Sequence, residues 1–261
     1  MPTLSVAQSS DSEEPLVALV TGSTSGLGRE VAFRLAAEGA HVIVHGRNEE
    51  RGAEVVAQIE SDGRGSARFY RADLASLDEI RAFAATIRAD YPHMDILVNN
   101  AGVFFVNGDR RLSSDGHELT FAVNYLAGFL LTYELLPLLK DSAPSRIVNV
   151  SSGAAAPIDF DNVMLEADYE GMRAYWQSKL AQVMFTIDLA AELDGVGVIV
   201  NSLHPAGFMD TNMVISAWIE PRSSVHEGAD AVMHLITGSD VGHGQFFNGL
   251  KVARAHPQAY S

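Results

Sequence analysis

Leu16-Val17-Ala18-Leu19-Val20 runs without a break into Thr21-Gly22-Ser23-Thr24-Ser25-Gly26-Leu27-Gly28, and no other feature constrains the chain as much. A short continuous apolar run suits a strand buried on both faces. The glycines Gly22, Gly26 and Gly28 let the backbone approach a ligand, with Thr21 before them and Leu27 between the last two. They open an amphipathic helix to about Glu38, and the amino-terminal N–H groups of such a helix favour an anion. Gly39 falls where a glycine ends a helix, and His41-Val42-Ile43-Val44-His45 reads as the next strand. Together these make one βαβ unit. The spacing Gly22-x-x-x-Gly26-x-Gly28 differs from G-x-G-x-x-G. It is no P-loop, because Gly-Lys-Ser/Thr is absent, and no nucleophile elbow, whose serine would have to be Thr24. A pyrophosphate turn remains, beside the plainer alternative of a tight turn with no ligand.

The alternation continues to the end of the chain. A polar helix covers about Asn48 to Glu60, and Arg68 to Leu74 reads as a strand with its exit. Ser76 caps a helix to about Asp90, with Glu79 placed for a capping box. Asp95-Ile96-Leu97-Val98 is a strand ending at Asn99-Asn100-Ala101-Gly102. A long helical stretch from about Ser113 to Lys140 is interrupted near Gly128 and Pro137. Arg146 to Val150 is a strand delivering Ser151-Ser152. After an irregular stretch, 153–171, a helix runs to about Leu193, and Val196 to Leu203 is a strand. A loop, 204–222, precedes a helix from Ser224 to about Ile236 and a short strand at Gln245-Phe246-Phe247. The pattern predicts one α/β domain, 15–261, with a Rossmann-type doubly wound parallel sheet of about seven strands, behind a flexible tail at 1–14. Ligands in such sheets bind outside the strand carboxyl ends. The Gly22 turn, Arg47, Asp73, Asn99 to Gly102 and Ser152 all fall there.

Composition limits the partners. With 47% hydrophobic residues the 261-residue chain can bury a sizeable core. Its net charge of −15 repels phosphate backbones and anionic headgroups, so neither nucleic acid nor a membrane is the expected partner. There is no cysteine, which removes disulfides and thiolate chemistry. No metal is expected, since the nine histidines lack ligand spacing, and His41 and His45 share a strand. No apolar run approaches bilayer length and no signal-like amino terminus is evident, so a cytoplasmic protein is expected.

Tyr175 and Lys179 lie just over one helical turn apart, on one helix face. A cation there favours the ionised phenol and draws its pKa below about 10, where proton exchange near neutral pH becomes feasible. Such a pair alone is a common product of chance. At the end of the second strand, Gly46 stands where a carboxylate would bind ribose hydroxyls, and Arg47 follows. A guanidinium suits a 2′-phosphate, with Ser23 adding a hydrogen bond and His45 another if it faces the site. NADP(H) is therefore favoured over NAD(H).

Thr-Gly-x-x-x-Gly-x-Gly, Asn99-Asn100-Ala101-Gly102, Asn124, Ser152 and Tyr175-x-x-x-Lys179, in that order, resemble the short-chain dehydrogenase/reductase family over nearly the whole chain. The long gap from Ser152 to Tyr175 resembles the branch with retinol dehydrogenases, the WW-domain oxidoreductase and light-dependent protochlorophyllide reductase. The resemblance implies that Tyr175 is the acid/base for interconverting a ketone or aldehyde with an alcohol. Lys179 would tune it and hold the nicotinamide ribose, and Ser152 would hold the substrate oxygen. Asn124 would bind a proton-relay water. It implies further that Asp73 and Leu74 bracket adenine and that Asn100, Ala101 and Gly102 back the adenosine ribose. Pro205 matches the family's Pro-Gly, but Ala206 replaces the glycine, so the loop carrying Thr211 toward the carboxamide is expected to take a different path. Phe104, Phe105, Phe208, Met209, Met213 and Trp218 fall near the mouth and favour an apolar small-molecule substrate. A homodimer or homotetramer through the Asn124 and Tyr175 helices is also implied. The rival readings are an NAD-linked alcohol dehydrogenase and a non-catalytic dinucleotide-sensing or interaction protein.

Overall fold

The computed structural model describes residues 14–106 and 108–261. Of the expected tail, only Glu14 falls within them. Eight strands form one sheet in the order β3-β2-β1-β4-β5-β6-β7-β8. They are β1 (Val17–Val20), β2 (His41–Gly46), β3 (Ser66–Arg71), β4 (Ile96–Asn99), β5 (Ser145–Val150), β6 (Val198–His204), β7 (Phe246–Asn248) and β8 (Lys251–Ala253). The first seven are parallel; β8 pairs antiparallel with β7 and was not anticipated. Every residue of β1, β4 and β5 is buried, which is why these segments read as unbroken apolar or small-polar runs. Chain order reverses between β1 and β4, and this switch point opens the ligand crevice.

Helices cover both faces. Helices α1 (Gly26–Ala37), α2 (Glu49–Asp62) and α8 (Val225–Thr237) share one core with β1 and β2, including Val31, Leu35, Val55 and Val232. On the other face lie α3 (Leu77–Asp90), α5 (Ala127–Asp141) and α6 (Gly171–Glu192), joined through Ile80, Phe83, Leu131, Leu135 and Leu189. Each such fully buried side chain contributes about 1.5–3 kcal/mol relative to exposure. Arg146 crosses beneath the sheet, 2% exposed, and donates to the carbonyls of Leu235 and Gly238, both at 2.8 Å. A cation there complements the carboxyl end of α8.

The long helix expected from Ser113 starts instead at Leu119, because Ser113 to Glu118 turns back on itself and Glu118 caps the backbone N–H groups of Thr120 and Phe121. Helix α4 (Leu119–Phe121) passes into a π turn, Ala122–Leu126, and then into α5. The interruption therefore falls at Asn124 rather than at Gly128, and Pro137 sits inside α5 without ending it. Leu119–Asp141 is also long and apolar enough to cross a membrane by length and composition alone, with mean hydropathy 1.4, contrary to expectation. It lines the core through Leu131, Leu135 and Leu139.

The irregular segment after β5 is held by specific contacts. Gln258, in a short 3-10 turn (Pro257–Tyr260), exchanges two hydrogen bonds with the Ile158 backbone, at 2.7 and 3.0 Å. Gln177 donates to the Val163 carbonyl at 2.6 Å and Arg110 to that of Met164 at 2.8 Å.

Candidate active site

The glycine turn joins β1 to α1, and each glycine has its own reason. Gly22 and Gly26 take left-handed backbone conformations, at φ +67° and +54°. At Gly28 a Cβ would stand 2.4 Å from Asn100 Nδ2 and 2.6 Å from the Gly22 carbonyl. Thr21 and Asn100 brace the switch point. Thr21 Oγ1 accepts from the N–H groups of Asn100 and Ala101 at 3.0 Å, and Asn100 Nδ2 donates to the Thr21 carbonyl at 2.8 Å.

This turn fits a pyrophosphate. The α1 N-cap residue, Ser25, makes no side-chain cap bond, and the first turn carries no acid. Helices α2, α3 and α8 are by contrast capped by Asn48, Ser76 and Ser224. The orphan N–H groups of α1 are thus left for an anion.

At the adenosine end, the Arg47 side chain is 68% exposed, its Nη1 lying 3.8 Å from Asp73 Oδ2. Asp73 Oδ1 accepts from the Ala75 N–H at 3.0 Å, and Leu74 is buried. Ser23 does not face a 2′-phosphate as expected: it is fully buried, donates to the Val20 carbonyl at 2.7 Å and accepts from the His45 N–H at 3.0 Å, so its hydroxyl has no proton to offer one. Thr24 is the hydroxyl on that side: a Cβ at Gly46 would lie 2.6 Å from its methyl. Gly46 was noticed, but its contact with Thr24 spans two strand ends and leaves no local signature.

The catalytic candidates converge at the carboxyl ends of β4 and β5. Ser152 follows β5, and its Oγ accepts from the Ala154 N–H at 3.1 Å. The preceding Ser151 donates to the Lys179 carbonyl at 2.7 Å and is structural. Tyr175, on α6, is partly exposed, with the Phe104 ring against it at 4.5 Å between centroids. Lys179, 4% exposed, donates to the Val150 carbonyl and to Gln182 Oε1, both at 2.9 Å. Gln182 lies three residues on, along the same helix face; that spacing was the available signal for it.

The expected acidification of Tyr175 is not what this arrangement produces. Desolvation raises the Tyr175 pKa, opposed by the hydrogen bond from Ser152. Burial in turn pushes Lys179 down to about 7, since no anion faces it. Desolvation thus drives both groups toward neutrality.

Both N–H bonds of the Asn124 amide are used. Its Oδ1 accepts from the Val103 N–H at 2.7 Å, while Nδ2 donates to the Val103 carbonyl at 3.1 Å and to Ser178 Oγ at 3.0 Å. It thus pins the loop after Gly102 to α6, and one acceptor site of Oδ1 remains. A cavity of about 10 Å³ lies between Thr21, Asn99, Asn124 and Gln182, room for roughly one water, and the buried Asn99 Oδ1 there lacks a partner.

The loop after β6 approaches from the other side. Pro205 is buried, and Phe208 takes a left-handed conformation at φ +48°. Thr211 caps α7 (Asn212–Ser216) and sits over the turn, its methyl 3.3 Å from where a Gly26 Cβ would be. A Cβ on Gly102 would meet Asn124 Oδ1 at 3.3 Å, and Lys179 Nζ and the Met213 methyl at 3.7 Å, so these three side chains surround Gly102. Met209 packs into the core, whereas Phe208 and Trp218 are exposed, Trp218 at 93%. His204 lies against Gly153, beside Ser152, and received no role from the sequence. Tyr169 turns away, reaching Glu118 at 3.4 Å. Among the described residues no group of three His, Asp or Glu is placed to hold a metal.

Residues 16–221 match the family model described as short chain dehydrogenase. The chain is 36% identical to human retinol dehydrogenase 14, covering 92% of this chain and 80% of that protein. It is 38% identical to human retinol dehydrogenase 11 over 93% of this chain and 80% of that one. A solved short chain dehydrogenase from Escherichia coli complexed with NADPH superposes with a TM-score of 0.74 at 27% identity, covering 96% of this chain and all of that one.

Proposed function

The chain belongs to the short chain dehydrogenase family and is an NAD(P)-dependent oxidoreductase acting on alcohol and carbonyl groups; from that premise we propose that it uses NADP(H) on an apolar small molecule. The observation that carries the reading is the meeting of Ser152, Tyr175 and Lys179 at the strand ends beside Gly102 and the uncapped α1.

When bound, the nicotinamide supplies or accepts the hydride. Tyr175 gives its proton to the carbonyl oxygen in reduction and takes the alcohol proton in oxidation. Ser152, whose oxygen accepts from Ala154, turns its O–H from the Tyr175 oxygen to the substrate oxygen and stabilises charge developing there. Lys179 is placed for the nicotinamide ribose, and an anionic ligand restores its positive charge. Asn124 acts by holding the Gly102 loop, and a water in the adjoining cavity would serve the relay assigned to it.

The preference for NADP(H) rests on exposed Arg47 beside Asp73, with Gly46 in place of an acid. The NADPH-complexed E. coli relative supports it. An apolar substrate is supported by Phe104 on the Tyr175 ring, by Met213, and by the two retinol dehydrogenases. Phe129 and Tyr133 leave an aromatic face of α5 partly exposed next to Phe185, which supports a homo-oligomer through α5 and α6; a monomer by light scattering would end that proposal.

Initial rates with NADPH and NADH against a panel of apolar ketones and aldehydes test the reading. Carbonyl-dependent oxidation with lower KM for NADPH is expected. Equal KM values would point to the NAD-linked alternative, and no turnover with any carbonyl would favour a dinucleotide sensor.

A further inference from the structure

The imidazole of His45 is buried against the glycine turn, only 2% exposed. Its Nδ1 accepts a hydrogen bond from the Gly22 N–H at 3.1 Å. Around this bond the backbone completes a clasp. The Ser23 N–H donates to the His45 carbonyl at 2.9 Å, the His45 N–H to Ser23 Oγ at 3.0 Å, and Ser23 Oγ to the Val20 carbonyl at 2.7 Å. The end of β2 is thereby fastened to the first glycine of the turn.

An acceptor at Nδ1 requires the neutral ring with its proton on Nε2. Nε2 is buried against the Ala72 backbone, and the ring lies tilted 5.0 Å from Phe83. An apolar side chain, like Val42 and Val44 earlier in the strand, would fill this position without burying polar atoms. It would not accept from Gly22, whose N–H points inward in the left-handed conformation at φ +67°. Two residues on from His45 the same strand end carries Arg47, which lies beside Asp73. The clasp therefore sets the spacing between the turn and the guanidinium.

We propose that His45 is a positioning residue of the dinucleotide site: by accepting from Gly22 it holds the glycine turn in register with the Arg47 end of β2, so that pyrophosphate and adenosine phosphate are received together. This rests on the NADP(H) reading above. Arginine and glycines make the contacts; the imidazole makes their separation invariant.

Binding of NADPH to the purified protein, read by fluorescence titration, tests it with His45→Leu and His45→Asn. Asparagine presents an acceptor near the Nδ1 position and leucine does not. Kd is expected to rise about tenfold for His45→Leu and to stay within about threefold for His45→Asn, the effect of losing one buried hydrogen bond. A merely structural role would lower Tm in both variants and leave Kd, measured well below Tm, equal to wild type; that result overturns the inference. Imidazole ¹⁵N spectra of the wild-type protein give a second readout that needs no variant to fold. At pH 7 Nδ1 of His45 must be unprotonated and Nε2 protonated, and the opposite tautomer overturns the inference as well. Failure of the wild type to bind NADPH would instead remove the cofactor reading on which it rests.

Discussion

The Lys179 ammonium nitrogen lies 5.6 Å from the centroid of the Tyr175 ring and directs its hydrogen bonds elsewhere, to Val150 and Gln182. Lysine and tyrosine are thus neighbours without being partners. Desolvation drives both toward their neutral forms, Tyr175 upward and Lys179 to about 7.

Binding of NADPH should therefore draw in a proton. Free Lys179 is mostly neutral at pH 8, because its pKa is about 7, and phosphates nearby favour the cation. Affinity is expected to fall as pH rises above 7. Calorimetry at pH 8 in buffers of different ionisation enthalpy should register proton uptake, and Lys179→Met should abolish it. Uptake that is unchanged in the variant would assign the proton to another group.

Removing the Tyr175 hydroxyl takes away the proton donor and leaves the ring that Phe104 packs against. For Tyr175→Phe, kcat should drop about 10²- to 10⁴-fold, the usual contribution of a placed acid/base. NADPH affinity should stay within about threefold. Retention of full turnover on an established substrate would dismiss Tyr175 as the acid/base.

Arg47 discriminates between the two dinucleotides only if a phosphate meets its guanidinium. In Arg47→Leu, Kd for NADPH should rise about tenfold to hundredfold, as for a lost charge-assisted hydrogen bond, with NADH unchanged. Parallel losses for both cofactors would mean that the residue serves adenine packing instead.

Acid should weaken the fold through His45. Its folded pKa is held near 4 by burial, against 6.5 for a free ring. Below pH 6.5 the unfolded chain takes up a proton that the folded ring refuses, so stability present above 6.5 is lost as pH falls toward 4. The loss is about 3 kcal/mol for this group. Urea denaturation at pH 7.5 and pH 5 should show a steeper decline for wild type than for His45→Asn. His41 and His204, also lowered by burial, remain in both proteins and cancel. Equal declines would refute the assignment.

What the chain discloses locally differs from what only packing decides. The run from Val17 to Gly28 announces strand, turn and helix because each requirement lies within a dozen neighbours. Ser76 announces a capped helix in the same way, but the expected capping box is not completed, because Glu79 Oε2 accepts from the Asp73 N–H while the Ser76 N–H goes to the Asp73 carbonyl. Ser23 misled, since a hydroxyl in a glycine turn looks available until β2 is laid against it and both its bonds close inward. The π turn at Ala122–Leu126 has no signature in residue type, because it answers to the docking of Asn124 on Val103 and Ser178. Lys251 to Ala253 is too short to display alternation and becomes a strand only when β7 offers an edge. The charge states of Tyr175 and Lys179 depend on how deeply α6 sinks beside β5, which spacing along a helix does not encode.

The bracing of Thr21 by Asn100 has a consequence for how the molecule comes together. The two residues are separated by 79 positions, and neither half-sheet owns a finished crevice by itself. A fragment stopping before β4 would keep every glycine and yet have no floor beneath them. Occupancy by a nucleotide would thus witness the joining of both halves, and a dinucleotide added during refolding would act as a sentinel for that seam.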